Sequence, residues 1–206
     1  MLREANPERG NLMTRSEMAG DLLQDEARQI VLDVYARIDA SGSSVAESLY
    51  PPGAIDGLPA PVIELALGVG HPVGFADLKP GETVLDLGSG GGIDTLLAAR
   101  EVAPEGEAIG LDVTPEMIDR ATEHAAIAGI DNARFIQGSM EEIPLPDKSV
   151  DVIISNGVIS MSMRKHRVFW EMWRVLRPGG RMVVGDMALN GPLPSEVRKH
   201  PDAVAS

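Results

Sequence analysis

From Glu82 onward the chain repeats one pattern: a short apolar run, a turn, then a stretch with helical spacing. The apolar runs read TVLDLG (83–88), AIGLDV (108–113), ARFIQG (133–138), VDVIIS (150–155) and GRMVVGDM (180–187). Helices are predicted between them at 92–102, 115–128 and 165–176, with a short turn near 140–143. The runs are nearly continuous in apolar residues, as in strands buried on both faces, and their alternation with helices implies a parallel sheet covered on both sides. Thr114-Pro115-Glu116 places a capping residue before a proline at the first helical position. Pro178-Gly179-Gly180 is expected to stop the last helix and turn into the fifth strand. The expectation is a doubly wound α/β domain with strand order 3-2-1-4-5, its sheet shortened at the C-terminal end because Ser206 follows soon after the fifth run.

The N-terminal part reads differently. Thr14 and Glu17 have capping-box spacing, and Leu23, Ala27, Ile30, Val31, Val34 and Ile38 recur on one helical face, which predicts a helix over 16–40. Ser41-Gly42-Ser43-Ser44 ends it, and YPPGAIDGLPAPV (50–62) is too rich in Pro and Gly for long regular structure. The division expected is a helix and lid segment over 1–75 and a ligand-binding domain over 76–206.

Composition removes several chemistries. With no cysteine, disulfides, iron–sulfur clusters, thiolate-held zinc and cysteine nucleophiles are excluded. His124, His166 and His200 lack ligand spacing, so no metal is assigned. A net charge of −13 repels phosphate backbones, so nucleic acid is not expected as a partner. The one basic cluster, Arg164, Lys165, Arg167, Arg174, Arg177 and Arg181, reads as a solvated helix face, and Phe169, Trp173 and Leu176 read as its core stripe. The uncharged runs Leu65–Ala76 and Val152–Met163 are too short to span a bilayer, and MLREANPERG has no apolar core for a signal peptide. A cytoplasmic chain without a membrane partner is expected, and the exposed edge of the fifth strand suggests a homodimer.

The most informative motif is Asp86-Leu87-Gly88-Ser89-Gly90-Gly91-Gly92, where the first strand passes into a helix. Such a turn lets backbone N–H groups approach a ligand at a helix N-terminus. A dinucleotide fingerprint would place a small residue at 93, which is Ile here, and a phosphate-cradling G-x-x-x-x-G-K-[ST] is absent. Asp86 disfavours a pyrophosphate and favours a ligand carrying an ammonium or sulfonium. Asp112, at the end of the second strand, is placed to accept both ribose hydroxyls of an adenosine. A nucleoside without phosphates and with positive charge at its far end describes S-adenosylmethionine.

These residues resemble a class I S-adenosylmethionine-dependent methyltransferase, with Asp86–Gly92 as its acidic glycine motif and Leu176–Gly180 as its L-x-P-G-G element. The run GVGHPVGFADLKPGETVLDLGSGGGID (Gly68–Asp94), with Asp112–Met117 and Ile154–Ile159, is most similar to the arsenite methyltransferase family. The resemblance implies a Rossmann-like fold with S-adenosylmethionine as cofactor. Gly88, Ser89 and Gly90 would pass beneath it, with Asp86 reaching its amino group. Asp112 would hold the ribose beside Val113, Thr114 and Met117, and Gly138, Ser139 and Met140 would line the adenine. Where many methyltransferases have an acid, this chain has Ser139, with Glu141 nearby to substitute. Asn156 would stand near the methionine carboxylate or the transferring methyl group.

The chain departs from that family at its thiols. The cysteine of G-C-G-N-P is Val69, that of I-S-N-C-V is Gly157, the third falls beyond Ser206, and the Asn of G-C-G-N-P is His71. Trivalent arsenic is thiophilic, so a small organic acceptor is expected instead of arsenite. His71 and Asn156 are the candidate catalytic residues, His71 as a general base, although a hydrogen-bonded loop histidine fits it too. Met161 and Met163 read as core filler or pocket lining. The alternative to an enzyme is a cofactor-binding paralogue, inactive or truncated, that acts through a partner.

Overall fold

The computed structural model describes residues 29–37, 44–188 and 191. Five parallel strands form one sheet: β1 (Thr83–Leu87), β2 (Glu107–Asp112), β3 (Ala133–Gln137), β4 (Val150–Asn156) and β5 (Leu176–Gly185). Their order is β3-β2-β1-β4-β5, as the strand–helix alternation predicts. Helices α1 (Ser44–Leu49) and α2 (Ala60–Glu64) precede the sheet; α3 (Ile93–Val102), α4 (Pro115–Ala128) and α5 (Lys165–Val175) connect its strands. Two 3-10 turns lie at Pro72–Phe75 and Ile159–Met161.

Adjacent strand residues point to opposite faces, and over the central strands β1, β2 and β4 both faces are buried. Val84, Val152 and Ile154 pack on one side against Leu96, Leu97 and Ala99 of α3. Leu85, Leu87, Ile109 and Ile153 pack on the other against Val168, Met172 and Val175 of α5. The segment before the sheet joins the first layer through Ala46, Tyr50, Leu58 and Val62. Arg100 of α3 holds it there by donating to the carbonyls of Asp56 and Gly57 at 3.0 and 2.8 Å.

Three local expectations are corrected. The buried face of α5 is Val168, Glu171, Met172 and Val175, whereas Phe169 and Trp173 are exposed. The rows 168/172/175 and 169/173/176 are both helical stripes, about 100° apart, and periodicity alone does not choose between them. The choice is made by Glu171, which turns inward to accept from the Ile143 N–H at 2.8 Å and to pair with Arg174. The basic cluster is correspondingly not one solvated face. Arg174 donates to the carbonyls of Ile143 and Leu145, Arg177 pairs with Asp151, and Arg181 ties Glu82 to the Ala76 and Asp77 carbonyls. Finally, β5 starts four residues early: Leu176 already pairs with Val150, and Arg177–Gly180 bulge out before pairing resumes at Val152 with Arg181.

Of the N-terminal prediction, residues 29–35 are helical. The remainder of 16–40, the Thr14/Glu17 capping box and His200 lie outside the described residues. Ser44 opens a short helix instead of continuing the loop. Thr114 holds the cap position of α4 without a side-chain cap bond; its own N–H donates to Asp112 Oδ1 at 2.9 Å. No helix among the described residues is long and apolar enough to cross a membrane.

Candidate functional site

The carboxyl ends of β1, β2 and β4 converge on one cleft, where open α/β sheets bind ligands. Its open space, out to bulk solvent, is about 1210 Å³. The glycine turn forms its floor. The N–H groups of Gly88 and Ser89 donate to the Leu111 carbonyl at 2.8 and 3.0 Å, which bends the chain back over β2. Gly88 has φ +71°, and a Cβ there would lie 2.5 Å from Val158 Cγ2, so both conformation and space demand glycine. His124 of α4, buried beneath the turn, donates from Nδ1 to the Gly91 carbonyl at 2.7 Å. Sequence reading gave this histidine no role, because nothing in its spacing reveals the contact.

Asp112 closes the floor on the β2 side. Its Oδ2 accepts from the Gly90 N–H and its Oδ1 from the Thr114 N–H, both at 2.9 Å. One carboxylate therefore locks the glycine turn to the start of α4 and still lines the cleft. Burial pushes its pKa up. Tyr35, from helical segment 29–35, lines the opposite wall; burial raises its phenol pKa first, and the Asp112 charge adds to the effect.

The far end of the cleft holds a second acidic pair. Asp86 accepts from Thr95 Oγ1 at 2.6 Å, and Asp94, in the first turn of α3, accepts on Oδ2 from Asn156 Nδ2 at 2.8 Å. Both are buried. Desolvation raises both pKa values, and the Asp94 charge pushes Asp86 further up. Asp94 Oδ1, Ser89 Oγ and the Tyr50 hydroxyl are buried without a hydrogen-bond partner. Asp94 is absent from the sequence-based set; the available signal was an acid two residues after the last glycine of the turn.

Of the residues expected to hold a ligand, Asp86, Gly88, Ser89, Gly90, Asp112, Val113, Thr114, Gly138, Ser139, Met140 and Asn156 all line the cleft, as does Glu141. Met117 does not: it is buried at 1% exposure in the first turn of α4. Met161 and Met163 line the cleft instead of filling the core. The two catalytic candidates are differently employed. Asn156 is fully engaged, accepting from the Val69 and Gly70 N–H groups at 2.8 and 3.0 Å and donating to the Gly70 carbonyl and Asp94. His71 lies off the cleft lining, tilted against Tyr50 with ring centroids 4.9 Å apart. Its Nδ1 is buried without a partner, and desolvation lowers its pKa.

Residues 78–206 match the family model described as a methyltransferase domain. An arsenite methyltransferase of Halobacterium salinarum is 41% identical over 99% of this chain, which spans 54% of that protein. A ubiquinone/menaquinone biosynthesis C-methyltransferase of Vibrio vulnificus is 35% identical over 52% of this chain and 41% of its own length. The chain thus spans about half the length of the curated relatives it matches. Among solved structures, the arsenic(III) S-adenosylmethionine methyltransferase of Chlamydomonas reinhardtii superposes with a TM-score of 0.65 at 39% identity, covering 74% of this chain and 55% of that one. A SAM-dependent methyltransferase of Aquifex aeolicus gives 0.55 at 25% identity, covering 78% and 80%. The glycine turn on β1, the acid ending β2 and these likenesses agree: the chain belongs to the methyltransferase domain family, with the Rossmann-like fold of class I S-adenosylmethionine-dependent methyltransferases, and stands close to the arsenite methyltransferases.

Proposed function

We propose that this chain binds S-adenosylmethionine in the cleft and transfers its methyl group to a small organic acceptor other than arsenite. The donor set fits the cofactor. Asp112 offers the ribose a carboxylate already oriented by two backbone N–H groups, and the acids at the other end suit its cationic centres. Gly138, Ser139 and Met140 offer the adenine a partly apolar wall. When bound, the cofactor supplies a methyl group on a positively charged sulfur that leaves as a neutral thioether. The protein's task is then to align the acceptor with that methyl and to exclude water, so proximity supplies most of the acceleration.

One observation carries the choice of acceptor. Gly157 lines the cleft and Val69 stands directly beside it: a Cβ on Gly157 would lie 3.3 Å from Val69 Cγ1. These are the positions where the resemblance to arsenite methyltransferases places thiols. The pair here presents hydrocarbon and no side chain, neither of which holds a soft cation. Asn156 fixes the Gly68–Gly70 loop that carries Val69, and of the expected lid segment the described residues Val31, Tyr35, Leu65, Leu67 and Gly68 reach the cleft. Asn156 is fully hydrogen-bonded and His71 stands off the cleft lining, so neither is placed as a base, and the acceptor is one that attacks with a lone pair it already carries, such as a neutral amine or a thioether.

Calorimetry with S-adenosylmethionine and S-adenosylhomocysteine, followed by a metabolite screen for methyl transfer, tests this reading. Binding with turnover on an organic acceptor is expected. Binding with no turnover on any acceptor would favour the non-catalytic paralogue acting through a partner. That second reading draws on the large apolar side chains that α5 and β5 leave exposed, Phe169, Trp170, Trp173, Met182 and Val184.

A further inference from the structure

Outside the cleft, the exposed apolar side chains of β5 and α5 share one location. Residues directly opposite on paired strands point to the same face of a sheet. Met182 pairs with Ile153, so it points to the side that α5 covers, and Val184 follows two residues on. Both nevertheless stay exposed, at 42% and 37%. The other face of the same strand is closed, with Val183 packed against the first core layer and Arg181 bonded to the Ala76 and Asp77 carbonyls. Helix α5 turns its Glu171 and Arg174 flank toward residues 143–147, which leaves Phe169 and Trp173, on its opposite flank, toward β5. Phe169, Trp173, Met182 and Val184 therefore border one trough over the edge strand of the sheet, with Trp170 on the helix crest beside it.

Size and charge decide what fits there. At their exposures these five side chains present about 600 Å² of apolar surface, the upper end of what a monomer leaves in one place and most of the roughly 800 Å² per partner in a stable interface. The chain carries a net charge of −13, yet Met163–Gly185 holds six Lys and Arg and a single acid, Glu171. Arg174, Arg177 and Arg181 are each paired with a carboxylate. This face thus has no excess of acid, and the negative charge lies elsewhere on the chain. It is where two copies of so acidic a protein meet with least repulsion.

We propose that this trough is a self-association surface: a second copy of the chain packs on it about a two-fold axis, with Trp173 of each copy seated in the trough of the other. A two-fold contact uses the same patch on both copies and closes at two, so it hides the apolar surface without leaving a further patch to extend an assembly. Trp173, 71% exposed at the rim of a groove, is the kind of side chain that anchors such contacts. Cover on β5 also steadies the cleft, because the Gly185 carbonyl accepts the Gly157 N–H at 2.8 Å and Asp186 accepts that of Ser160 at 2.9 Å. None of this depends on the cofactor placement.

The test is sedimentation of the full chain over a dilution series, read together with tryptophan fluorescence. Both tryptophans of the chain lie on this face, so their emission reports on it alone. A dimer is expected at micromolar concentration, with emission moving to the red as dilution separates the copies. Trp173→Lys and Met182→Lys, on the two walls of the trough, are each expected to weaken the dimer by about thirtyfold or more at an unchanged circular dichroism spectrum. Ile127→Lys, also on an exposed position but on α4, is expected to leave the dimer intact. A monomer at every concentration would overturn the proposal. Tryptophans open to quencher in that monomer would mean a bare face that awaits a different protein, and shielded ones a face covered by the chain's own residues. A dimer that survives both trough variants, or assembly beyond two copies, would overturn the choice of surface.

Discussion

Replacing Asp112 by alanine has two consequences that the structure separates. The carboxylate accepts two backbone N–H groups, from Gly90 and Thr114, and in the proposed complex it also receives the ribose hydroxyls. Removing it leaves two part-buried donors without partners, at about 1–3 kcal/mol for such groups. For a chain of this size that corresponds to a fall in Tm of about 2–4 °C per kcal/mol. Ligand affinity falls separately by about 1.5–3 kcal/mol, the range for hydrogen bonds to a charged group, or about 10–150-fold in Kd. Asp112→Asn distinguishes the two effects. It keeps one acceptor oxygen for the glycine turn, so most of the Tm is expected to return, while the loss of charge keeps S-adenosylhomocysteine binding weak. Thermal melts combined with calorimetry at a temperature where all forms are folded provide the assay. Unchanged affinity in Asp112→Ala at a reduced Tm would refute the ribose assignment and leave Asp112 a purely structural tie.

The acids of the cleft predict an unusual pH profile. Asp86, Asp94 and Asp112 have raised pKa values, so the folded state keeps protons that the unfolded chain releases near pH 4, and stability declines as pH rises. His71, lowered by burial, opposes this only below about pH 6.5, and Glu82 and Glu171, held low by Arg181 and Arg174, and Asp151, held low by the Thr83 N–H and Arg177, matter only in acid. Thermal melts of the ligand-free protein are therefore expected to fall from about pH 6.5 to 8.5, and a rising profile would contradict the buried-acid picture. Asn156→Ala should release the Val69 and Gly70 amides; hydrogen exchange over residues 66–72 is expected to quicken, with a stability loss of about 1–3 kcal/mol, and unchanged protection would contradict the clamp. Glu171→Ala strands the buried Ile143 N–H and removes one of the two carboxylates paired with Arg174, which keeps Asp147, so urea unfolding should show a loss of about 1–3 kcal/mol at unchanged m.

Strand–helix alternation made the sheet and its order legible in the sequence, because a parallel strand buried on both faces has few other ways to be written. The glycine turn and Asp112 were legible for a related reason: their chemistry depends on short local spacing around a strand end. What was not legible depends on long-range contacts. Phe169 and Trp173 outweighed Val168 and Met172 by size, and only the inward turn of Glu171 toward Ile143 fixes the helix rotation. Asn156 and His71 seemed available for chemistry until the fold placed one across the Gly68–Gly70 loop and the other against Tyr50. Asp94 was overlooked because an acid in a helix's first turn has an ordinary explanation in the helix dipole, and its burial beside Asp86 is visible only in three dimensions.

The claim that the Val69–Gly157 pair has exchanged thiols for an apolar surface is tested most directly by one competition assay. The full chain is incubated with S-adenosylmethionine labelled in its methyl group, in one arm with arsenite and glutathione and in the other with a fractionated extract of small organic metabolites, and the labelled products are separated. The account predicts label in an organic product and methylated arsenic no higher than in the protein-free control. Methylarsenic turnover comparable to that of a cysteine-bearing relative would contradict it, and would mean that the acceptor arrives with its own thiols.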